Sequence, residues 1–267
     1  KSSVVQAGLI PALRRGALPG SAEWFIVTLT PGADPWAELA EALGHVASSP
    51  ISALTEALKR DRTGLLQVSQ TLLATEPNAQ LLLVIDQFEE LFTLVTAEET
   101  RRQFLESLLV ALLDAEARLR VVVTLRADFT DRPLQYVDFG EILRQRMLLV
   151  LPLTPDELTQ VITAPLYRLG MTIAPELVAA IVHDVGDQPA SLPLLQYALT
   201  ELFERRRGPG LRLADYQASG GVAGALALRA DEIFEGFDPA GQAAIRQTFL
   251  RLVTLGEGVE DTRRRVL

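Results

Sequence analysis

The sequence contains no cysteine and only two histidines, His45 and His183. Disulfide staples and thiolate metal sites are therefore excluded and a histidine-built metal centre is disfavoured, so any cation would be held by oxygens. The absence of thiols suits a reducing, cytoplasmic setting. No apolar run reaches the ~18 residues that a membrane span needs, and the first residues resemble neither a signal peptide nor a transit peptide. Positive charge is scarce as well: 25 Lys and Arg stand against 34 Asp and Glu, for a net charge of −9. That balance argues against a general nucleic-acid or acidic-membrane surface. No initiator methionine opens the chain and it stops at "EDTRRRVL", so the sequence reads as a segment of a longer protein.

What is present is apolar. At 267 residues and 48% hydrophobic, the chain can bury a substantial core in one large domain or two or three small ones. Short continuous apolar runs alternate with helical periodicity. The first helix is expected from Ser2 to Leu13, bent near Pro11 and ended by Arg14, Arg15 and Gly16. A strand buried on both faces follows at Trp24–Leu29, then helical segments at about 35–46, 51–59 and 65–73. "LLLVI" (81–85) gives a second strand, 98–115 a long helix, Val121–Leu125 a third strand, and "MLLVLPL" (147–153) a fourth after a loop holding Asp131, Pro133 and Gly140. Such strands alternating with helices indicate an α/β fold with a parallel sheet, whose ligands sit at the carboxyl ends of the strands. From Pro155 the pattern turns helical, over about 156–169, 175–185, 192–207, 223–234 and 239–255, with a break at Gly208–Gly210. The stripe Leu192, Leu195, Leu199, Leu202 reads as core packing.

Chemistry concentrates at strand ends. The opening "KSS" matches the close of a phosphate-binding loop, G-x-x-x-x-G-K-[ST], in which the lysine reaches phosphates and the hydroxyl binds Mg²⁺. The glycines of that pattern would precede Lys1. In "LLLVIDQFEEL" Asp86 follows a buried strand directly, with Glu89 and Glu90 three and four residues on. This is the layout of a Walker B element: Asp86 holds Mg²⁺ through water, and one glutamate, with Glu90 preferred, polarises the attacking water. The plainer alternative makes Asp86 a helix cap and the glutamates a solvated face. Arg126 follows the third strand and needs an anionic partner, either a phosphate or a carboxylate such as Asp128 or Asp86. Arg205–Arg207, before a glycine, read as complements to a helix dipole, and the two histidines as ordinary helical residues.

Taken together, "KSSVVQAGLIPAL", "LLLVIDQFEELFT", "VVVTLRADF", "VLPLTPDEL" and above all "VGDQPASLPLLQYALTELF" resemble the nucleotide-binding core of STAND-class P-loop NTPases, of the bacterial novel STAND group often fused to WD-repeat propellers. The resemblance implies a P-loop α/β core over 1–152, a helical lid over 153–210 and the start of a winged helix over 211–267. It implies a sheet order of 5-1-4-3-2, with strand 1 preceding Lys1. Lys1, Ser2 and Ser3 would bind ATP or ADP, Ser2 and Asp86 would hold Mg²⁺, Glu90, Glu89 and Arg126 would serve hydrolysis, and Pro193 of "SLPLL" would stack on the adenine. Ser191 stands where many relatives have glycine, and Gly186 with Pro189 offers a competing match. The implied function is a signalling switch set by ADP/ATP exchange and reset by slow hydrolysis, which self-oligomerises in the ATP state and works with fused sensor and effector domains in bacterial regulation or defence. A DNA-binding transcription regulator using the winged helix is the alternative, and a non-hydrolysing scaffold is disfavoured by the intact "DQFEE".

Overall fold

The computed structural model describes residues 1–47, 49–114, 117–186, 192–206, 208–254 and 262–263. The chain divides into two compact units, Lys1–Val150 and Leu151–Leu267.

In the first unit, three parallel strands, β1 (Phe25–Leu29), β2 (Leu81–Ile85) and β3 (Leu119–Val123), lie side by side in that order. β2 is central and wholly apolar, and all five of its residues are buried. Successive side chains of a strand point to opposite faces. Accordingly Leu81, Leu83 and Ile85 join the core formed with helices Pro35–Gly44, Gly64–Leu72 and Glu98–Leu113, while Leu82 and Val84 pack with Val5, Ile10 and Leu13 of the first helix. The sheet is therefore covered on both faces, as parallel sheets require.

The first helix is not regular. A π-helical stretch, Val4–Leu9, leads into α-helical Ile10–Arg14. Pro11 lies just beyond that stretch and has no amide hydrogen for the bond a regular helix would need, so the wider turns fall where the proline disturbs the α pattern. The helix closes with Gly16 at φ +81°, where Gly16 N–H donates to Leu13 and Ala17 N–H to Ala12. Those two bonds form a Schellman ending.

Three expectations are corrected. The third strand spans Leu119–Val123 rather than 121–125, so Arg126 stands three residues past its end, and of the three strands of this sheet β2 alone is buried throughout. The expected loop around Gly140 contains a helix, Val137–Arg146, whose Phe139 stacks on Phe88 at 5.7 Å. Gly140 serves close packing there, since a Cβ on it would meet Leu134 Cα and carbonyl oxygen at 3.2 Å each. The expected fourth strand is not formed: residues 147–153 make no ladder, and Leu148 is 87% exposed. A strand exists only where a neighbour takes its backbone hydrogen bonds, and among the described residues β3 pairs with β2 alone.

The second unit is helical. Helices Pro155–Arg168, Pro175–Gly186, Leu192–Glu204, Leu213–Ala218 and Gly221–Glu235 surround one core that includes Leu158, Ile181, Leu195, Tyr216 and Val222. Thr154 and Glu157 cap the first of these reciprocally, which satisfies two end amides at once. A two-residue parallel ladder joins β4 (Thr172–Ile173) to β5 (Gly210–Leu211). Helix Pro239–Leu252 follows, and then an antiparallel ladder of β6 (Val253–Thr254) with β7 (Thr262–Arg263). Within the leucine stripe, Leu195 and Leu202 are buried and Leu199 packs on the core, but Leu192 is 46% exposed, because it starts its helix beyond the core. Arg205 pairs with Glu201 at 2.9 Å and Glu232 at 3.0 Å. Both histidines are exposed. No helix among the described residues is long and apolar enough to cross a membrane.

Candidate functional site

The chemistry-bearing residues of the first unit meet just past the carboxyl ends of its strands. The Asp86 amide extends the ladder by donating to Leu29 O at 2.8 Å, and the chain then turns sharply at Gln87, φ +51°. This turn leaves the Asp86 carboxylate beside the start of the first helix. Its Oδ1 accepts from Ser2 Oγ at 2.7 Å, from Gln87 N–H at 3.0 Å and from Thr124 Oγ1. Burial alone would raise the Asp86 pKa, but the bonds from Thr124, Ser2 and Gln87 outweigh it and hold the carboxyl below its ordinary value.

Thr124 was not anticipated as a site residue. It is 6% exposed, lies directly after β3, donates to Asp86 and accepts from Gln87 N–H at 3.1 Å. Its one sequence signal is a hydroxyl inside the apolar run "VVVTL". Its own amide donates to Ile85 O at 3.0 Å and its carbonyl accepts from Phe88 N–H at 2.8 Å, so it braces the turn from both sides.

The glutamate pair divides. Glu89 Oε2 accepts from the Arg126 amide at 3.3 Å, whereas Glu90 Oε2 accepts from the Gly32 amide at 3.1 Å, beyond β1. Burial lowers the pKa of the Lys1 ammonium and nearby Arg126 adds to that, while Glu89, Asp128 and Asp86 pull the other way. Lys1 therefore shares a charged neighbourhood with Glu89, Arg126, Asp128 and Asp86. The Arg126 guanidinium is held in a fork by Asp128, Nε to Oδ1 at 3.0 Å and Nη2 to Oδ2 at 2.7 Å, and lies 5.7 Å from the Phe129 ring centre. Of the carboxylates open to Arg126 in sequence, it is Asp128 rather than Asp86 that the guanidinium meets.

Ser3 is exposed and makes no cap bond. Pro193 occupies the second position of helix Leu192–Glu204 in the other unit and is exposed. Ser191 and Pro189 lie outside the described residues, and Gly186 ends helix Pro175–Gly186.

A hydroxyl and a carboxylate oxygen 2.7 Å apart are hard donors suited to Mg²⁺, which takes one or two protein ligands and completes its shell with phosphate and water. Among the described residues no group of three or more His, Cys, Asp or Glu could hold a metal by itself. The Ser2 hydroxyl and the Asp86 carboxylate are the residues that would offer such a cation its protein ligands.

The sequence model of the family described as Novel STAND NTPase 1 matches residues 1–267. The chain belongs to that family. As a novel STAND NTPase it is, in general terms, a nucleotide-binding NTPase and a nucleotide-dependent switch. No protein of curated function matches it significantly. The family description names no nucleotide, metal or residue, so the roles of individual residues rest on the geometry of this novel STAND NTPase itself.

Proposed function

We propose that this chain is the nucleotide-handling core of a cytoplasmic signalling ATPase, binding Mg²⁺–ATP or ADP at the strand ends around Asp86. The observation that carries this reading is the 2.7 Å bond from Ser2 Oγ to Asp86 Oδ1. Two residues 84 positions apart, each singled out as a Mg²⁺ ligand, converge at the sheet edge where ligands of parallel α/β folds bind. A lone capping aspartate needs no partner on the first helix.

On this reading Lys1 contacts the terminal phosphates, and Ser2 and Asp86 hold the cation, which when bound neutralises phosphate charge. Thr124 and the Gln87 amide keep the Asp86 carboxylate aimed. Glu90 leaves the Gly32 amide to orient a water, with Glu89 beside Lys1 as the competing candidate. Arg126 reaches the γ-phosphate, and Ser3 lines the phosphate-binding turn. A strand preceding Lys1 would lie between β3 and residues 147–151; the open edge of β3 and the exposed Leu148, Leu149 and Leu151 support that placement. The observed order β1-β2-β3 agrees with the 2-3-4 portion of a 5-1-4-3-2 sheet. The helices after Thr154 form the lid, with Pro193 on the adenine, and β6–β7 begin the wing. Exchange of ADP for ATP would drive self-assembly and pass a signal between fused sensor and effector domains in bacterial regulation or defence.

The test is a set of substitutions in the natural full-length protein. Lys1→Ala should abolish ATP binding, whereas Glu90→Gln should retain binding and lose most hydrolysis, because removing a water-orienting group spares ground-state contacts. Normal ATP affinity in Lys1→Ala would overturn the site. Normal turnover in Glu90→Gln together with loss in Glu89→Gln would move the water-orienting role to Glu89.

A further inference from the structure

Arg126 has its main chain fixed and its guanidinium already taken by a carboxylate. Its amide is bonded to Glu89, and its guanidinium fork is filled by Asp128 at 3.0 and 2.7 Å. The two side chains are each 55% exposed. An exposed pair of this kind gains little in water, so a stronger anion can displace one partner, and the released carboxylate is rehydrated without leaving a buried charge. A γ-phosphate carries more charge than a carboxylate and also accepts from a guanidinium in a fork.

We propose that Asp128 is a positioning residue that keeps the Arg126 guanidinium occupied, so that a nucleoside triphosphate must take the guanidinium from it and a diphosphate need not. The inference rests on the phosphate-site reading above. It assigns to Asp128 a share in setting the preference between ATP and ADP. With ADP bound the pair stays closed, and ADP affinity contains no cost of opening it. With ATP the pair opens, the Arg126 amide remains on Glu89 as a pivot, and the measured ATP affinity is lowered by the competition. Removing the carboxylate while keeping the side-chain shape should therefore favour ATP selectively. Any general loss of negative charge near Lys1 acts on both nucleotides and does not need Arg126.

The experiment compares Kd for a non-hydrolysable ATP analogue and for ADP, both with Mg²⁺, in the full-length protein and its variants. Asp128→Asn should tighten the triphosphate analogue about two- to five-fold, the range an exposed ion pair commands, with ADP affinity nearly unchanged. In an Arg126→Gln background the same substitution should leave the ATP/ADP preference where it was. An unchanged preference in Asp128→Asn, or a gain that survives in Arg126→Gln, would overturn the proposal while leaving the phosphate site standing. Failure of the wild-type protein to bind either nucleotide would overturn both readings together.

Discussion

Three hydrogen bonds converge on one carboxylate oxygen of Asp86, and the least conspicuous of their donors in sequence, Thr124, is the most buried. Thr124→Val keeps the shape and removes the hydroxyl. It deprives Asp86 of a donor and the Gln87 amide of an acceptor, so it should cost about 1–3 kcal/mol of stability in urea denaturation. A change near zero would mean the turn at Gln87 does not depend on it. The effect should also depend on pH. Because the folded-state pKa of Asp86 lies below its ordinary value, its contribution is present above the unfolded pKa of about 3.9 and is lost as pH falls through the lower folded value. The stability difference between wild type and Thr124→Val should therefore shrink in acid below about pH 4. A gap of constant size across that range would show that Asp86 ionisation plays no part.

Elements formed where a side-chain pattern and a backbone partner agreed. β2 was legible because five consecutive apolar residues are buried by both neighbours and both faces, and Leu83→Ala there should cost about 2–5 kcal/mol in the same assay. The run at 147–153 carries an equally apolar pattern and forms no strand, because pattern specifies faces but a strand also needs a ladder. Helix Val137–Arg146 was missed for the opposite reason. Gly140 reads as a breaker, yet it sits so close to the Leu134 backbone that a Cβ would press on it at 3.2 Å. Replacing a glycine inside a helix by alanine ordinarily stabilises, but Gly140→Ala should lower the melting temperature, and a rise would contradict the close-packing account. Of the proposed site, Lys1, Ser2, Asp86 and the pair Glu89 and Glu90 are singled out in sequence by their order along the chain. Thr124 was not, since a threonine in a β-run looks like any strand residue, and the fork between Arg126 and Asp128 was one of two options that sequence left open.

At the scale of the whole molecule, the two units have separate cores, one around β2 and one around Leu158, Ile181 and Leu195. A switch requires that a ligand distinguish between states of such parts. If Pro193 stacks on adenine, hydrogen exchange should show Mg²⁺–ADP protecting amides of helix Leu192–Glu204 as well as those following β2; protection confined to residues 1–150 would remove Pro193 from the site. Family membership establishes a nucleotide-binding NTPase in general, and the role proposed for Ser2 and Asp86 is narrower, a cation-dependent phosphate site. Calorimetric titration of ATP into the full-length protein with and without Mg²⁺, for wild type and Asp86→Asn, tests it most directly. Mg²⁺ should tighten ATP binding in wild type, and Asp86→Asn should lose this gain. A full Mg²⁺-dependent gain in Asp86→Asn would contradict that role.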